Sequence, residues 1–404
     1  MIQIAKIPEH LRLAPGQKMI ISVNFPLRFH GLEKEASIKT LFKQDVILNS
    51  FRNRKFDIEL KLFGKIPVKQ MHIEIATPPK VIPCGQAIGV VLSTRGVVIV
   101  GHLPVVGIDQ KKYYPAKQAG LIPGDIVLEL NNCPINHVEE VEHILRNSHG
   151  KILKISVKRK GKIVKRNIQP VLTQKGNEQR YMLGLFIEDP AAGVGTLTFY
   201  NSKTRGFGGL GHQITNFGGN KGINFQQGEI VLANINGIRA GFPGKPGEKI
   251  GVFNSSQNPI GTIQKNCRFG IYGTMSSFYS ENIEKDIFKP VSIGYASEIK
   301  EGAAEIYTVI NGTHIEKFKV KIIKVYRQRI PRDKGLIIRV TDPRLLKLTG
   351  GIIQGMSGSP VIQGGKLVGA VTHVFVNDPT KGYGVLAEWM IQELNSVTET
   401  GKAS

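Results

Sequence analysis

The hexapeptide Gly355-Met-Ser357-Gly-Ser-Pro360 has the residue types of a covalent nucleophile in a tight turn. Glycines on both sides of Ser357 let the backbone bend sharply enough to expose its Oγ and to aim neighbouring N–H groups at one point, as an acyl-transfer oxyanion requires. A plain Ser-Gly turn is the alternative. An α/β-hydrolase elbow is excluded, because that motif needs glycine two residues after the nucleophile, where this chain has Ser359. A nucleophilic serine needs a base. His212, in Phe207-Gly-Gly-Leu-Gly-His212-Gln-Ile-Thr215, follows the strand-like Gly195-Thr-Leu-Thr-Phe-Tyr200 at a glycine-rich strand end that could present an imidazole in a cleft. His373, in Val371-Thr-His-Val-Phe-Val376, is the competitor, and its apolar strand marks it as a core or site-wall histidine. Asp342, 15 residues before Ser357 at the end of Gly335-Leu-Ile-Ile-Arg-Val340, could fix the histidine tautomer; an Asp-Pro turn or helix cap is its other reading. Asp378, in Asn377-Asp-Pro379, is a similar turn candidate.

Metal chemistry finds little support. His137-Val-Glu-Glu-Val-Glu-His143 spaces its histidines six apart, which is not the i, i+4 spacing of a zinc helix. Cys84, Cys133 and Cys267 are isolated, so neither a zinc site nor a disulfide framework is implied, and no metal or cofactor is expected.

The elements that must position these residues fall into blocks along the 404-residue chain. Residues 1–80 read as a small β-rich module, with period-2 alternation in Met19–Phe25 and Phe56–Phe63 and a stop at Pro78-Pro79. Residues 81–175 change character: β-rich runs flank Pro115-Ala-Lys-Gln-Ala119-Gly-Leu-Ile-Pro-Gly124-Asp125-Ile-Val-Leu, and a helical stretch follows near Val138–Arg146. This segment resembles a bacterial PDZ domain, an α+β fold that captures an extended peptide on a sheet edge. The resemblance puts its peptide-binding loop at Gly85-Gln-Ala-Ile88-Gly89-Val90, and Asn131-Asn132 stands where Asn-Gly is usual, a change that left-handed-tolerant Asn allows. Residues 185–396 are dense in glycine and short strands, with helical character only in the Gly384–Leu394 region, which suggests a sandwich or barrel; residues 397–404 are a tail.

The net charge of +23 favours anionic surroundings, yet basic and apolar residues nearly alternate in Lys151–Arg166 and Phe318–Tyr326, so most of the charge belongs to solvated strand faces. No aromatic ladder, zinc-finger spacing or basic heptad accompanies it, and nucleic acid is not an expected partner. No window approaches the roughly 18 apolar residues of a membrane span.

The serine hexapeptide is similar to the Gly-Asp-Ser-Gly-Gly-Pro of chymotrypsin-like proteases, and the following Pro360–Val371 segment reads as the hairpin found there. Taken with Gly195-Thr-Leu-Thr-Phe-Tyr, Gly-Leu-Gly-His212, Gly244-Lys-Pro-Gly-Glu248, Asn258-Pro-Ile-Gly-Thr-Ile263, Val340-Thr-Asp-Pro-Arg-Leu345 and Ala370-Val-Thr-His-Val-Phe-Val-Asn-Asp-Pro379, it makes the chain resemble the stage IV sporulation protein B family of serine peptidases. The resemblance implies a mainly β protein in which a PDZ domain precedes a chymotrypsin-like β-barrel peptidase domain. It implies a His212, Asp342, Ser357 triad with Gly355 and Ser357 N–H groups as the oxyanion hole. It further implies a signalling protease that cleaves itself and a membrane-bound regulator of an intramembrane protease, in the space between forespore and mother-cell membranes. Such a protein is normally membrane-anchored, and the anchor is not in this chain. A PDZ peptide ligand and an anionic membrane surface are the other partners it allows. Gln213 after the histidine and Asn216 where Asp is common depart from the family pattern, and they motivate the rival reading of a catalytically silent PDZ scaffold.

Overall fold

The computed structural model describes residue 7 and residues 9–30, 37–39, 43–48, 52–93, 96–159, 161–175, 178–188, 192–215, 225, 227–253, 259–277, 279, 289–326, 328 and 331–400. It is mainly β, with two six-stranded barrels, a PDZ domain and an N-terminal β module.

The N-terminal module stacks a four-stranded sheet, in the order His10–Leu13, Ile66–Ile75, Arg54–Leu62, Leu27–His30, against a three-stranded one built from Met19–Asn24, Lys43–Leu48 and Ser37–Lys39. Period-2 alternation sends Val23, Leu48, Leu60, Met71 and Ile73 into one fully buried cluster, while the intervening lysines and glutamates face water.

The first barrel closes through the ring Gly206–Gly209, Gly270–Met275, Gly261–Cys267, Gln227–Leu232, Ala87–Ser93 and Ala192–Asn201. The boundary expected at residue 81 is therefore corrected. Ala87–Ser93 does not open the PDZ domain; it lies in the barrel, pairing Val91 with Ala192 and Ala87 with Thr196 on one side, and Val90 with Ile230 on the other. Ile88, Gly89 and Val90 are interior strand residues with no access to a peptide. Gly89 is glycine because the Phe253 ring lies over it, only 2.4 Å from where a Cβ would stand. A strand apolar on both faces is what a continuous Ala-Ile-Gly-Val-Val-Leu run specifies when covered on both sides.

The PDZ domain is thus an insertion between two neighbouring strands of the barrel. Its sheet runs Lys162–Ile168, Leu153–Arg159, Ile126–Leu130, Val97–His102, Leu185–Glu188, with Val97–His102 leaving the barrel and Leu185–Glu188 returning to it as an antiparallel pair. Asn131 and Asn132 both take left-handed φ (51° and 63°) in the hairpin turn, as the Asn-Asn exchange requires. The Asp of the Gly124-Asp125 motif is buried, and Arg159 holds both its oxygens at 2.7 Å.

The second barrel closes through Gly302–Val309, Ile315–Val325, Leu336–Val340, Lys381–Leu386, Lys366–Val374 and Pro360–Gln363. Along Ile315–Val325 the lysines 317, 319 and 321 point out while Phe318, Val320 and Ile322 point in. The C-terminal helix begins at Ala387, later than Gly384, because residues 384–386 still pair in the barrel, and it runs to Thr400. Its Leu394 packs on Gly206 of the first barrel while Met390 and Trp389 join the second barrel's core, so the helix ties the two together.

Excising Val97–Glu188 and joining the strands with a short turn should leave the barrels folded, because the cut ends are ladder neighbours. Excising 81–175 removes a central strand and should unfold them. Fluorescence of Trp389, the single tryptophan, reads both outcomes.

Candidate active site

Ser357 sits in the loop between the helix Pro343–Thr349 and the strand Pro360–Gln363. Gly355 (φ +90°) and Gly358 (φ +97°) give the loop two left-handed turns, and a Cβ on Gly358 would stand 2.0 Å from the Thr196 carbonyl oxygen. The first barrel holds this loop of the second. Thr196 Oγ1 donates to Gly355 O and Thr198 Oγ1 to Gly358 O, each at 2.7 Å, and Thr196 N donates to Ser357 O at 2.9 Å. Within the loop Met356 N, Gly358 N and Ser359 N donate to Ile353 O, Val371 O and Met356 O. The N–H groups of Gly355 and Ser357 make no hydrogen bond among the described residues.

His212 stands at the end of the strand Gly206–Gly209, after two left-handed residues, Leu210 and Gly211 (φ 64° and 70°). A Cβ on Gly211 would lie 3.0 Å from Thr372 Cγ2, which places the histidine turn against the segment that follows the serine hairpin. The His212 and His373 rings are tilted face to face with centroids 4.8 Å apart, so His373 is a wall of the site. Burial lowers the His212 pKa, against a smaller upward pull from the Gln213 carbonyl.

The structure brings the Ser357 loop and the His212 turn together against Thr372. Asp342 is the N-cap of Pro343–Thr349: one carboxylate oxygen accepts from Arg344 N and Leu345 N at 3.0 and 3.2 Å, the other from Lys319 N at 3.2 Å. The capping reading of this residue is formed. Ser357 Oγ donates to Thr372 O at 2.7 Å, and among the described residues neither a Ser357–His212 nor an Asp342–His212 bond is made. Asp378 bonds Thr380 and pairs with Lys381 in a surface turn. Asn216 lies outside the described residues. His137 and Glu140 form the capping box of the PDZ helix Val138–Arg146, and no metal-holding group of three ligating side chains occurs among the described residues. Cys84, Cys133 and Cys267 are all free thiols.

Three features escape sequence reading. Thr196 and Thr198, both fully buried, show only as strand residues until their partners are known. The edge strand of the PDZ sheet is Leu185–Glu188, preceded by Leu183-Gly184 with Gly184 at φ +66°. The string Leu183-Gly184-Leu185-Phe186 thus puts a left-handed glycine turn ahead of a sheet edge of the kind to which an extended peptide can add. The third is Lys249, buried beneath the nucleophile loop. Its stem packs on Gly355, with Cδ 3.0 Å from where a Cβ would be, its Nζ donates to Thr308 Oγ1 at 2.7 Å, and burial pulls its pKa down to about 7.

Residues 179–391, more than half of the chain, match the family described as SpoIVB peptidase S55. The chain belongs to the SpoIVB peptidase S55 family. Ser357, His212 and the strand carrying Thr196 all fall inside the S55 match, and residues 110–159 match a PDZ domain. A solved structure titled "Crystal structure of Rv3671c protease, inactive form" is similar over 50% of this chain and 84% of that chain, at 14% identity and a TM-score of 0.28. No helix of the described residues is long and apolar enough to cross a membrane.

Two pH effects follow. Lys249 titrates near 7 when folded and near 10.5 when unfolded, so the unfolded chain binds the extra proton between those values and stability rises with pH across that window. Lys249→Met should be more stable than wild type below about pH 7, by on the order of a few kcal/mol, and the difference should vanish above the window. Denaturant midpoints read through Trp389 check this, and parallel pH curves for the two proteins would refute it. Burial keeps the His212 imidazole neutral below pH 6.5, so any rate that depends on that neutral ring should show its acid limb there.

Proposed function

We propose that this S55 chain is a serine endopeptidase in which Ser357 attacks a peptide carbonyl and His212 is general base, then acid. The supporting observation is the pair of unpartnered N–H groups, Gly355 and Ser357, that flank the serine in a loop whose neighbouring N–H groups are bonded. Such donors suit an oxyanion, since they carry no bond that the developing charge must displace. For attack, Ser357 Oγ leaves Thr372 O and turns toward His212 Nε2, which takes its proton. The tetrahedral oxyanion collapses, His212 protonates the leaving amine, and water then opens the acyl-enzyme by the same two proton transfers in reverse. By the family resemblance Asp342, the cap of the short helix before the Ser357 loop, is the third member that holds the imidazole.

The family setting carries the rest of the proposal: a sporulation signalling protease acting outside the cytoplasm between forespore and mother-cell membranes, self-cleaving and cleaving a membrane-bound regulator of an intramembrane protease. The PDZ edge Leu185–Glu188 is the place for a peptide ligand, and the outward lysines 317, 319 and 321 suit an anionic membrane surface. The rival reading is a silent PDZ scaffold, favoured by the Ser357–Thr372 bond that stands in place of a Ser–His bond.

Ser357→Ala should abolish self-cleavage, followed by mass spectrometry over time, and labelling by a fluorophosphonate probe, with Trp389 fluorescence unchanged. Undiminished cleavage by that variant would sink the nucleophile assignment. A folded wild type that never labels would establish the scaffold instead.

A further inference from the structure

An oxyanion donor works only if its direction is fixed before the charge develops. Gly355, at φ +90°, has no side chain with which to fix itself. Its N–H shares one planar trans peptide with the Gln354 carbonyl, so whatever holds that oxygen sets the opposite direction for the N–H. Lys249 holds it. The Lys249 backbone N donates to Gln354 O at 3.0 Å, and Gln354 N donates to Gly247 O at 2.8 Å. This parallel bridge between Glu248 and Gln354 seats the serine loop on the strand Glu248–Val252.

The side chain of the same residue runs beneath the loop. Lys249 Cδ, Cβ and Cγ lie 3.0, 3.1 and 3.2 Å from the point where a Gly355 Cβ would stand, while Thr196 Oγ1 holds the Gly355 carbonyl from the first barrel. The stem is kept there by its amine, whose partner among the described residues is Thr308 Oγ1, fully buried in the strand Gly302–Val309, at 2.7 Å. A hydrocarbon side chain would fill this space without burying a polar group, so the amine is the costly choice for packing alone.

Among the described residues no charged side chain faces the amine. Glu248, next on its own strand, pairs with Arg239 across the hairpin. Ile353 through Met356 carry no titratable group, and on the Thr308 strand Glu305 is exposed and Tyr307 lies beneath Lys317. Burial alone therefore sets its basicity and brings it down to about 7. A neutral amine can donate to Thr308 and stay. An ammonium brings three donors to one acceptor with no carboxylate beside it, and it is relieved only by leaving the pocket, which takes the stem from Gly355.

We propose that Lys249 is the positioning residue of the oxyanion donor: its backbone N–H fixes the peptide plane that aims the Gly355 N–H, its stem supports that glycine from below, and the support holds only while the amine is neutral. The proposal rests on the reading of Ser357 as nucleophile with Gly355 N–H in its oxyanion hole. It makes the alignment of the hole sensitive to pH through a group that touches neither substrate nor the reacting atoms.

The test compares wild type, Lys249→Met and Lys249→Ala in the full chain, with two readouts. Labelling glutamine carbonyl carbons and glycine nitrogens together shows by NMR only the three Gln-Gly peptides of the chain, and Gln354→Asn identifies the Gly355 signal by its loss. In wild type this amide should shift with a midpoint near 7, and in Lys249→Met it should not. Steady-state peptide cleavage is the second readout. Wild-type kcat should fall about 4-fold between about pH 8 and pH 6.5, before the acid limb of His212 begins. Lys249→Met keeps a stem but not the anchor at Thr308: its kcat should drop several-fold yet stay flat over that range. Lys249→Ala removes the stem as well and should lose kcat by about 100-fold at every pH, with KM little changed. The methionine variant serves if the alanine variant fails to fold. The proposal is overturned if the Gly355 amide of wild type does not titrate near 7, or if Lys249→Met keeps the wild-type pH profile. A folded wild type that never labels with a fluorophosphonate would overturn the nucleophile reading alone, because the Gly355 amide reports its coupling to Lys249 without requiring activity.

Discussion

The two hydroxyls of Thr196 and Thr198 hold the candidate site together. The Ser357 loop belongs to the second barrel and His212 to the first, so the candidate site exists only as well as the barrels are registered. Apolar packing across the seam cannot set that register alone, because it is non-directional. Two fully buried hydroxyls two residues apart on one face of a strand, each donating at 2.7 Å to a carbonyl of Gly355 or Gly358, do set it, since a shift of either barrel would orphan two donors and two acceptors away from water. The positive φ at both glycines belongs to the same arrangement, because it turns those carbonyls toward the strand and leaves the N–H groups of Gly355 and Ser357 unengaged.

Around this seam the molecule tolerates polar groups that a purely structural interior would avoid. Ser359 Oγ and Thr372 Oγ1 are buried without a hydrogen-bond partner among the described residues, and Lys249 brings an ammonium whose one partner there is a hydroxyl. Each is unfavourable for folding. All three lie at the Ser357 loop: Ser359 two residues on, Thr372 as the neighbour whose carbonyl accepts the Ser357 hydroxyl hydrogen bond, Lys249 against Gly355.

What the sequence revealed follows from how local each signal is. The Gly-x-Ser-Gly turn, the glycine-rich approach to His212 and the Asn-Asn hairpin are written within a few residues, and each is present. Asp342 was legible too, as an Asp before Pro at a helix start, but the capping and catalytic readings use the same letters. Only the Lys319, Arg344 and Leu345 N–H groups around it separate them. The insertion was not legible. Alternation and burial say that Ala87–Ser93 is a strand, whereas its partner begins about a hundred residues later at Ala192, and nothing local encodes which distant strand completes the ladder. Placing that strand in the PDZ domain carries the expected peptide-binding loop to Ile88-Gly89-Val90, which the barrel buries, and away from the turn Leu183-Gly184-Leu185 at the PDZ sheet edge.

The point of insertion also limits what the PDZ domain can do to the site. The returning strand carries Thr196 as its fifth residue from Ala192, and all five, Ala192 through Thr196, are paired in register with Val91 through Ala87. A tilt of the PDZ sheet transmitted along this strand would have to break or slip that ladder before moving Thr196, and a slip of one residue would turn Thr196 and Thr198 away from the loop they hold. Graded mechanical control of Ser357 through the strand is therefore costly, and the cheaper arrangement is a rigid mount. On the proposed reading of the edge Leu185–Glu188 as the peptide site, such a mount would hold a bound segment at a fixed reach from the seam and raise its local concentration at Ser357 without altering the geometry there.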